Sequence, residues 1–190
     1  EQAQSAQQQL TRERDRLRLL LEVTTAVVSH LDLREFFTAT TACLRHVIKH
    51  EYTSLALYEP EQDQLRLYAL DFPQGRGLIQ EGRTGPVDGS PAGVAFRSRQ
   101  PALFKASDLQ NFQSDIARLL IAEGVKSVCC VPLLSRDRSL GTLNVASLRE
   151  DAFDQDDVDL LSQVASQIAI AVENALAYRQ IAELKGKLAE

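Results

Sequence analysis

Glycine and proline, the residues that most readily interrupt regular structure, are distributed very unevenly along this chain. Residues 1–59 contain neither of them, whereas residues 71–89 contain five of the nine glycines and two of the six prolines. The first segment can therefore form long helices, and the second has too many breakers for one regular element. A long irregular segment inside a compact domain is typical of a functional loop.

Helical patterns dominate both ends of the chain. Apolar residues at helical spacing predict a first helix over residues 6–29, and Asp32 is the predicted N-cap of a second helix that ends near residue 50. A third pattern predicts a long helix that begins at Asp154. Beyond Tyr178 its apolar face narrows to a seam typical of coiled coils. We expect a homodimer whose interface includes apolar residues of both terminal helices, namely Leu10, Leu17, Ile181, Leu184 and Leu188.

Strand patterns occupy the middle of the chain. They predict antiparallel hairpins over residues 52–70 and 127–148 and a short strand over 102–104. Ser90 followed by Pro91 predicts the start of a short helix, and a further helix is expected over residues 108–123. This order predicts an α+β fold, with the terminal helices on one sheet face and the irregular segment on the other. A cavity between the sheet and the loops is then the natural ligand site.

Composition and charge narrow the classes of function. A net charge of −5 disfavours a nucleic-acid surface, and the alternating arginines of residues 12–18 lie among carboxylates, as on a solvated helix face. Three cysteines form no even disulfide framework, so a reducing cytoplasm is expected. No apolar run approaches the roughly 20 residues of a membrane span, and the polar start has no signal-peptide pattern. The chain lacks methionine, and we expect it to be a segment of a longer protein.

The histidines do not form a recognisable catalytic or metal-binding pattern. His30, His46 and His50 all lie within or beside the first two predicted helices, away from the expected cleft. His46 and His50 are four residues apart and can share a helix face, but no third ligand is evident. The sequence therefore predicts neither a metal site nor a hydrolase, and no catalytic residue.

Cys129 and Cys130 are adjacent in a predicted strand, so one should face the helices and the other the cavity. The simpler interpretation is that both are small buried apolar residues. The alternative is a redox-active, nitrosylated or metal-sensing thiol, which would need a pKa lowered by a nearby arginine or lysine.

The glycine-rich segment contains two glycine–arginine clusters, Gly75-Arg76-Gly77 and Gly82-Arg83. Free backbone N–H groups at such turns, and at the predicted helix start at Ser90, favour a carboxylate or a phosphate. A flexible surface loop is the alternative interpretation. The candidate ligand-binding residues are Arg76, Arg83, Ser90, Phe96, Cys129, Cys130 and Asn144.

Three features of the last third resemble the GAF domain family. They are the strand end Val131-Pro132-Leu133, Gly141 in the next strand, and the helix exit Glu173-Asn174-Ala175. The resemblance covers roughly residues 20–178. It implies a GAF/PAS-like antiparallel sheet of about five or six strands that binds a small molecule and signals through its terminal helices. The cyclic-nucleotide class carries an Asn-Lys pair where this chain has Ala146-Ser147. The bilin-binding class needs an attached cysteine and a histidine in the pocket region, and this sequence has no histidine beyond His50. The cofactor, if any, stays unknown.

The stretch Val172-Glu173-Asn174-Ala175-Leu176-Ala177-Tyr178 resembles the helical exit of the sensors of sigma-54-dependent transcriptional activators of the formate-hydrogenlyase type. That resemblance implies a cytoplasmic sensor with a downstream AAA+ domain and no direct contact with nucleic acid or membrane. The expected layout is a signalling helix over residues 1–19, a sensor over 20–178 and a helical linker over 179–190. Two alternatives stay open, a ligand-free dimerisation scaffold and an enzyme that reduces methionine sulfoxide.

Overall fold

The computed structural model of this chain describes residues 2–29 and 32–189, without the side chains of residues 25–29. Two helices, α1 (Gln2–Ser29) and α2 (Leu33–Val47), open the fold, as the absence of glycine and proline predicts. Asp32 caps α2, because its carboxylate accepts a hydrogen bond of 2.9 Å from the amide of Arg34. His30, the first of the three histidines of the sequence, lies outside the described residues.

A six-stranded antiparallel sheet forms the centre of the domain, and its strand order is β3-β2-β1-β6-β5-β4. The strands are β1 (Tyr52–Glu59), β2 (Gln64–Asp71), β3 (Thr84–Pro86), β4 (Ala102–Lys105), β5 (Ser127–Ser135) and β6 (Arg138–Ser147). Both predicted hairpins are confirmed, and β1 and β6 pair at the middle of the sheet. The predicted α+β class is therefore correct.

Two predictions for the segment between the hairpins were wrong in detail. The glycine-rich segment contains the edge strand β3, which the sequence pattern did not predict because glycine and proline are frequent in this segment. The single helix expected over residues 108–123 is two helices, α4 (Ala106–Leu109) and α5 (Asp115–Ala122). The interruption has a local cause, because the Ser114 hydroxyl accepts from the amide of Ala117 and starts a new helix. The helix α3 (Pro91–Ser98) begins as predicted, with Ser90 as its N-cap.

The last helix, α6 (Gln155–Leu188), is continuous from the core through the predicted linker. Asp154 and Asp157 form a capping box at its start. Its length and apolar composition would suffice to cross a bilayer, but 44% of that apolar window is buried in the fold, mainly against β5. Core helices of globular domains meet the same criterion, and the part of α6 up to Val172 contributes ten buried residues to the fold.

The sheet has two differently covered faces. The helix-side face packs against α1, α2 and α6 in the larger apolar core, to which Leu55, Val131, Leu143 and Val145 contribute side chains with 0% exposure. The opposite face, here called the loop-side face, is covered by α3, α4, α5 and the glycine-rich segment over two smaller apolar clusters. The predicted arrangement of layers is confirmed.

The arginine run of α1 is more than a solvated helix face. Arg12 lies 3.1 Å from Asp154, and Arg16 lies 3.8 Å from Asp156. Arg16 is also largely buried, with 16% of its side chain exposed, because it packs at the junction between α1 and the start of α6. The prediction therefore holds only for Arg14 and Arg18, which pair within α1.

The predicted dimer seam is exposed in the single chain. Leu10 and Leu17 of α1 are 72% and 60% exposed, and Leu184 is 61% exposed. Ile181 and Leu188 on α6 are likewise exposed. Exposure of these residues is necessary for an interface, and the dimer stays a prediction.

Candidate functional site

A cavity of about 130 Å³ lies between the loop-side face and its cover. Its floor is formed by β1 and β6, its side wall by β2, and its cover by the β3 strand and the starts of α3 and α5. The lining residues are Tyr52, Ser54, Ala56, Leu65, Leu67, Arg83, Thr84, Gly85, Pro86, Ser90, Ala92, Ser114, Asp115, Ile116 and Asn144. The cavity thus collects residues from six separate elements in the sequence.

The floor carries a chain of polar groups within an otherwise apolar surface. Asn144 is 8% exposed, and its Nδ2 donates a hydrogen bond of 3.2 Å to the Ser54 hydroxyl. The Tyr52 phenol lies beside Ser54, and burial raises the pKa of this phenol although the neighbouring Ser54 hydroxyl opposes the shift. The Oδ1 atom of Asn144 has no partner among the described residues. A buried acceptor without a donor is costly, so this atom marks a place where a ligand can bond.

The cover brings two helix N-termini to the same cavity. Ser90 caps α3 through the amide of Gly93 at 3.0 Å, and Ser114 caps α5. The start of α3 packs closely against the backbone of Val87, since a Cβ added at Gly93 would collide with the Val87 carbonyl. Ala92, Asp115 and Ile116 line the cavity from the first turns of these helices. Helix N-termini attract anions because their first N–H groups lack intrahelical partners.

The two predicted arginines have different roles. Arg83 lines the cavity, and its guanidinium has no ion pair among residues 2–29 and 32–189. Its backbone carbonyl accepts from the amide of Leu67 at 2.8 Å, which attaches the cover to the sheet. Arg76 lies outside the cavity lining, where its guanidinium donates to the carbonyl of Ala122 and lies 3.9 Å from the Glu123 carboxylate.

Glu123 is a structural residue that the sequence analysis missed. Its buried carboxylate accepts hydrogen bonds from the amides of Arg76, at 2.8 Å, and Leu78, at 3.0 Å. These bonds fasten the glycine-rich segment to the end of α5. A glutamate before a glycine at a helix end gives no sequence signal for such a contact, because the partners are about 45 residues away.

The remaining candidates lie beside the cavity rather than in its lining. Phe96 packs against the ring of Tyr58, with centroids 4.5 Å apart, in the cluster next to the cavity. Cys130 belongs to the loop-side cluster that contains Tyr52, and Cys129 to the helix-side core, so the predicted opposite orientations are confirmed. Of the seven predicted residues, the cavity brings together Arg83, Ser90 and Asn144.

The cysteines do not have the environment of reactive thiols. Burial raises the pKa of Cys130 well above its usual range and that of Cys129 to about 12. A low-pKa thiolate requires the opposite environment, with nearby cations and solvent access. The described histidines also stay apart from the cavity, and no cluster of three metal-ligating side chains occurs in the described part of the chain.

Several larger clefts lie around the helical layer. One of about 760 Å³ lies between α1, the end of α2 and the start of α6, and another of about 580 Å³ lies between α6 and the β1–β2 turn. Exposed polar and charged side chains form much of both clefts. The smaller cavity is the better candidate site because it combines apolar walls with a few buried polar groups.

Comparison with known proteins identifies the fold and its relatives. A model of the GAF domain family matches residues 30–173. The formate hydrogenlyase transcriptional activator FhlA of Escherichia coli K12 is 29% identical over 183 residues, which are 95% of this chain and 26% of that protein. The transcriptional activator HyfR of the same organism is 30% identical over 99% of this chain and 28% of its own length. The chain therefore spans about a quarter of these curated relatives.

Solved structures share the fold at lower sequence identity. The GAF domain of a phosphoenolpyruvate-protein phosphotransferase from Coxiella burnetii superposes with a TM-score of 0.75 at 16% identity, covering 88% of this chain and 98% of that one. A free methionine-R-sulfoxide reductase from Neisseria meningitidis gives a TM-score of 0.70 at 18% identity, with coverage of 86% and 91%. At these identities the likeness concerns the fold alone.

Proposed function

The chain belongs to the GAF domain family, and we propose that it is the small-molecule-sensing regulatory domain of a bacterial transcriptional regulator. The main support is the match over nearly the whole chain to two transcriptional activators. The cavity of the loop-side face, with the unpartnered Asn144 Oδ1 at its floor, supplies a place for a ligand.

The proposed ligand contacts come from the cover and the floor. Arg83 and Ser90 lie in the cover, and Asn144 lies in the floor, so a ligand between them bridges the sheet and the segment over residues 72–126. A ligand shifts an equilibrium only through its differential affinity for two states. Contacts to both layers provide that difference, because they favour the arrangement in which cover and floor are close together.

The proposed signal leaves through the terminal helices. The β6 strand carries Asn144 on one face and, one residue earlier, Leu143 in the core beneath α6. The helix α6 then continues without interruption to Leu188. Residues 1–19 serve as the signalling helix, 20–178 as the sensor, and 179–190 as the linker to an output domain. Allosteric coupling of this kind is typically about 1–3 kcal/mol.

The proposed context follows the relatives. In a full-length activator of sigma-54-dependent transcription, ATP hydrolysis and DNA binding belong to the remaining three quarters, including an AAA+ domain. The sensor itself acts in the cytoplasm as a homodimer without direct contact with DNA or membrane.

Two other functions have less support. An enzyme that reduces methionine sulfoxide through thiols needs accessible, reactive cysteines, whereas Cys129 and Cys130 are buried, face opposite sides and have raised pKa values. A ligand-free scaffold would be expected to fill its cavity with its own side chains and to satisfy the Asn144 acceptor internally.

Thermal unfolding of the purified chain against a panel of small organic anions, cyclic nucleotides and ferrous iron tests the sensing function. A ligand at 100 times its dissociation constant adds about 2.7 kcal/mol to the free energy of unfolding. We expect one class of compound to give a saturable increase in Tm that Arg83→Ala reduces. Arg76→Ala is the matched control, because that side chain lies outside the cavity. No shift with any compound supports the scaffold instead.

Sedimentation velocity tests the proposed dimer separately. Leu184→Asp places a charge in the apolar seam and should convert dimers into monomers, since burying an unpaired carboxylate is strongly unfavourable. Ala182→Asp introduces the same charge on the opposite side of the helix and should leave the dimer intact. If Leu184→Asp sediments as the parent dimer does, the seam is not the interface.

A further inference from the structure

The cavity has two chemically different ends. At the cover, Arg83 lies with the first turns of α3 and α5, where the amides of Ala92, Asp115 and Ile116 have no hydrogen-bond partner among the described residues. Each of these helices has eight residues, and both positive poles are at this end of the cavity. The cover therefore favours a negatively charged group.

The floor requires a hydrogen-bond donor from the ligand. The Nδ2 atom of Asn144 donates to the Ser54 hydroxyl at 3.2 Å. With Nδ2 directed to Ser54, Oδ1 is left as a free acceptor in a residue that is 8% exposed. An anion alone would leave this acceptor unsatisfied.

The size of the cavity suits a ligand of a few atoms. A volume of about 130 Å³ is close to that of an engineered cavity of about 150 Å³ that binds benzene. A ligand of about six non-hydrogen atoms fits this space. Ala56, Leu65 and Leu67 form an apolar wall, which suits a short alkyl group rather than a second charge.

The charges around the cavity distinguish between possible donors. Asp115 carries the carboxylate of the lining, but its side chain is 74% exposed and lies 3.4 Å from Arg118. The floor has no carboxylate to compensate an ammonium group, and burying an unpaired cation is costly. A neutral hydroxyl satisfies Asn144 without that cost.

On the basis of the proposed function, we infer that the cavity binds a short 2-hydroxy carboxylate, of the size of lactate. The carboxylate lies at the cover beside Arg83 and the two helix N-termini. The hydroxyl donates to Asn144 Oδ1, and the methyl group packs against Leu65 and Leu67. The carboxylate and the hydroxyl thus meet the polar groups that the cavity leaves without partners, and the methyl group meets the apolar wall.

Isothermal titration calorimetry with L-lactate and propionate tests this inference directly. Propionate has the same carbon skeleton but no hydroxyl, so lactate should bind about tenfold more tightly, as one hydrogen bond to a buried acceptor predicts. Arg83→Gln should weaken both ligands by about tenfold, because it removes the charge but not the exposed side chain's bulk. Asn144→Leu should remove the preference for lactate, since it keeps the volume and loses the acceptor.

Equal affinity for the two acids would overturn the inference, as would a lactate preference that survives Asn144→Leu. Unchanged carboxylate affinity in Arg83→Gln would also overturn it, and this exposed substitution does not endanger the fold. If neither acid binds while another compound of the panel raises Tm, the ligand class is wrong and the sensing function stands. If no compound binds, both proposals fail.

Discussion

The two faces of the sheet differ although the same strands supply both. Leu143 and Asn144 are adjacent in β6, yet Leu143 is fully buried in the helix-side core and Asn144 lines the loop-side cavity. In β1, Leu55 and Ser54 show the same alternation. Side chains of successive strand residues point to opposite faces, so one strand can stabilise the domain and bind a ligand at the same time.

The faces also differ in how completely their polar groups are bonded. Beside the helix-side core, both ring nitrogens of His50 have partners, the carbonyl of Ile48 at 2.7 Å and the Thr53 hydroxyl at 2.8 Å. On the loop-side face, Asn144 Oδ1 and the buried Thr142 hydroxyl have none among the described residues. Each such group costs about 1–3 kcal/mol. On the helix side, the unbonded buried atoms include those of Arg16 at the α1–α6 junction, beside the carboxylates of Asp156 and Asp157, whereas those of the loop-side face lie on the strands beneath the cover.

The largest effect should follow from damage to the helix-side face. Leu143→Ala removes a fully buried side chain and leaves a cavity, so it should lower the free energy of unfolding by about 2–5 kcal/mol. In a domain of this size, each kcal/mol corresponds to about 2–4 °C in Tm. Thermal or urea unfolding of the ligand-free chain measures it.

The adjacent residue on the other face is the matched control. Asn144→Leu removes an unpartnered buried acceptor but also the hydrogen bond to Ser54, and because these two effects oppose each other the free energy of unfolding should change by less than about 1 kcal/mol. A loss as large as that of Leu143→Ala would mean that both faces carry stability equally, contrary to the distinction drawn here.

A smaller effect should appear in the pH dependence of stability. Burial lowers the pKa of His50 below its usual range, so the unfolded chain binds the proton more tightly than the folded one. This contribution to stability is present above the unfolded pKa of about 6.5 and is lost as the pH falls toward the folded pKa. Between pH 7.5 and 5.5, His50→Gln should therefore lose less Tm than the parent chain.

The exposed His46 on α2 provides the control for this measurement. His46→Gln removes an exposed imidazole outside the hydrogen-bonded pair and so controls for the loss of an imidazole as such. An unchanged slope in His50→Gln would show that the bonded polar group of the helix side does not contribute to the pH dependence.

Local patterns in the sequence predicted the regular elements well. The starts of α2, α3 and α6 depend on Asp32, Ser90 and Asp154, whose side chains bond to amides two or three residues away. The opposite orientations of Cys129 and Cys130 follow from strand geometry alone. Such contacts are readable because both partners lie within a few residues of each other.

The cover of the cavity was less predictable. The β3 strand forms because Thr84, Gly85 and Pro86 meet β2, and the helix break at Ser114 competes with a pattern that also fits one longer helix. Arg76 and Arg83 looked equivalent in sequence, but Glu123 and Ala122 engage only the first. Nothing near either arginine in the chain distinguishes them.

The sequence by itself thus determined the long helices, the two hairpins, the faces of the central strands and the GAF resemblance. The tertiary structure decided which residues meet in the cavity, namely the Arg83 loop, the starts of α3 and α5, and Asn144 with Ser54. Periodicity and caps act over a few residues and are visible in sequence. The cavity depends on long-range packing of glycine-rich backbone, whose many allowed conformations only the assembled fold reduces to one.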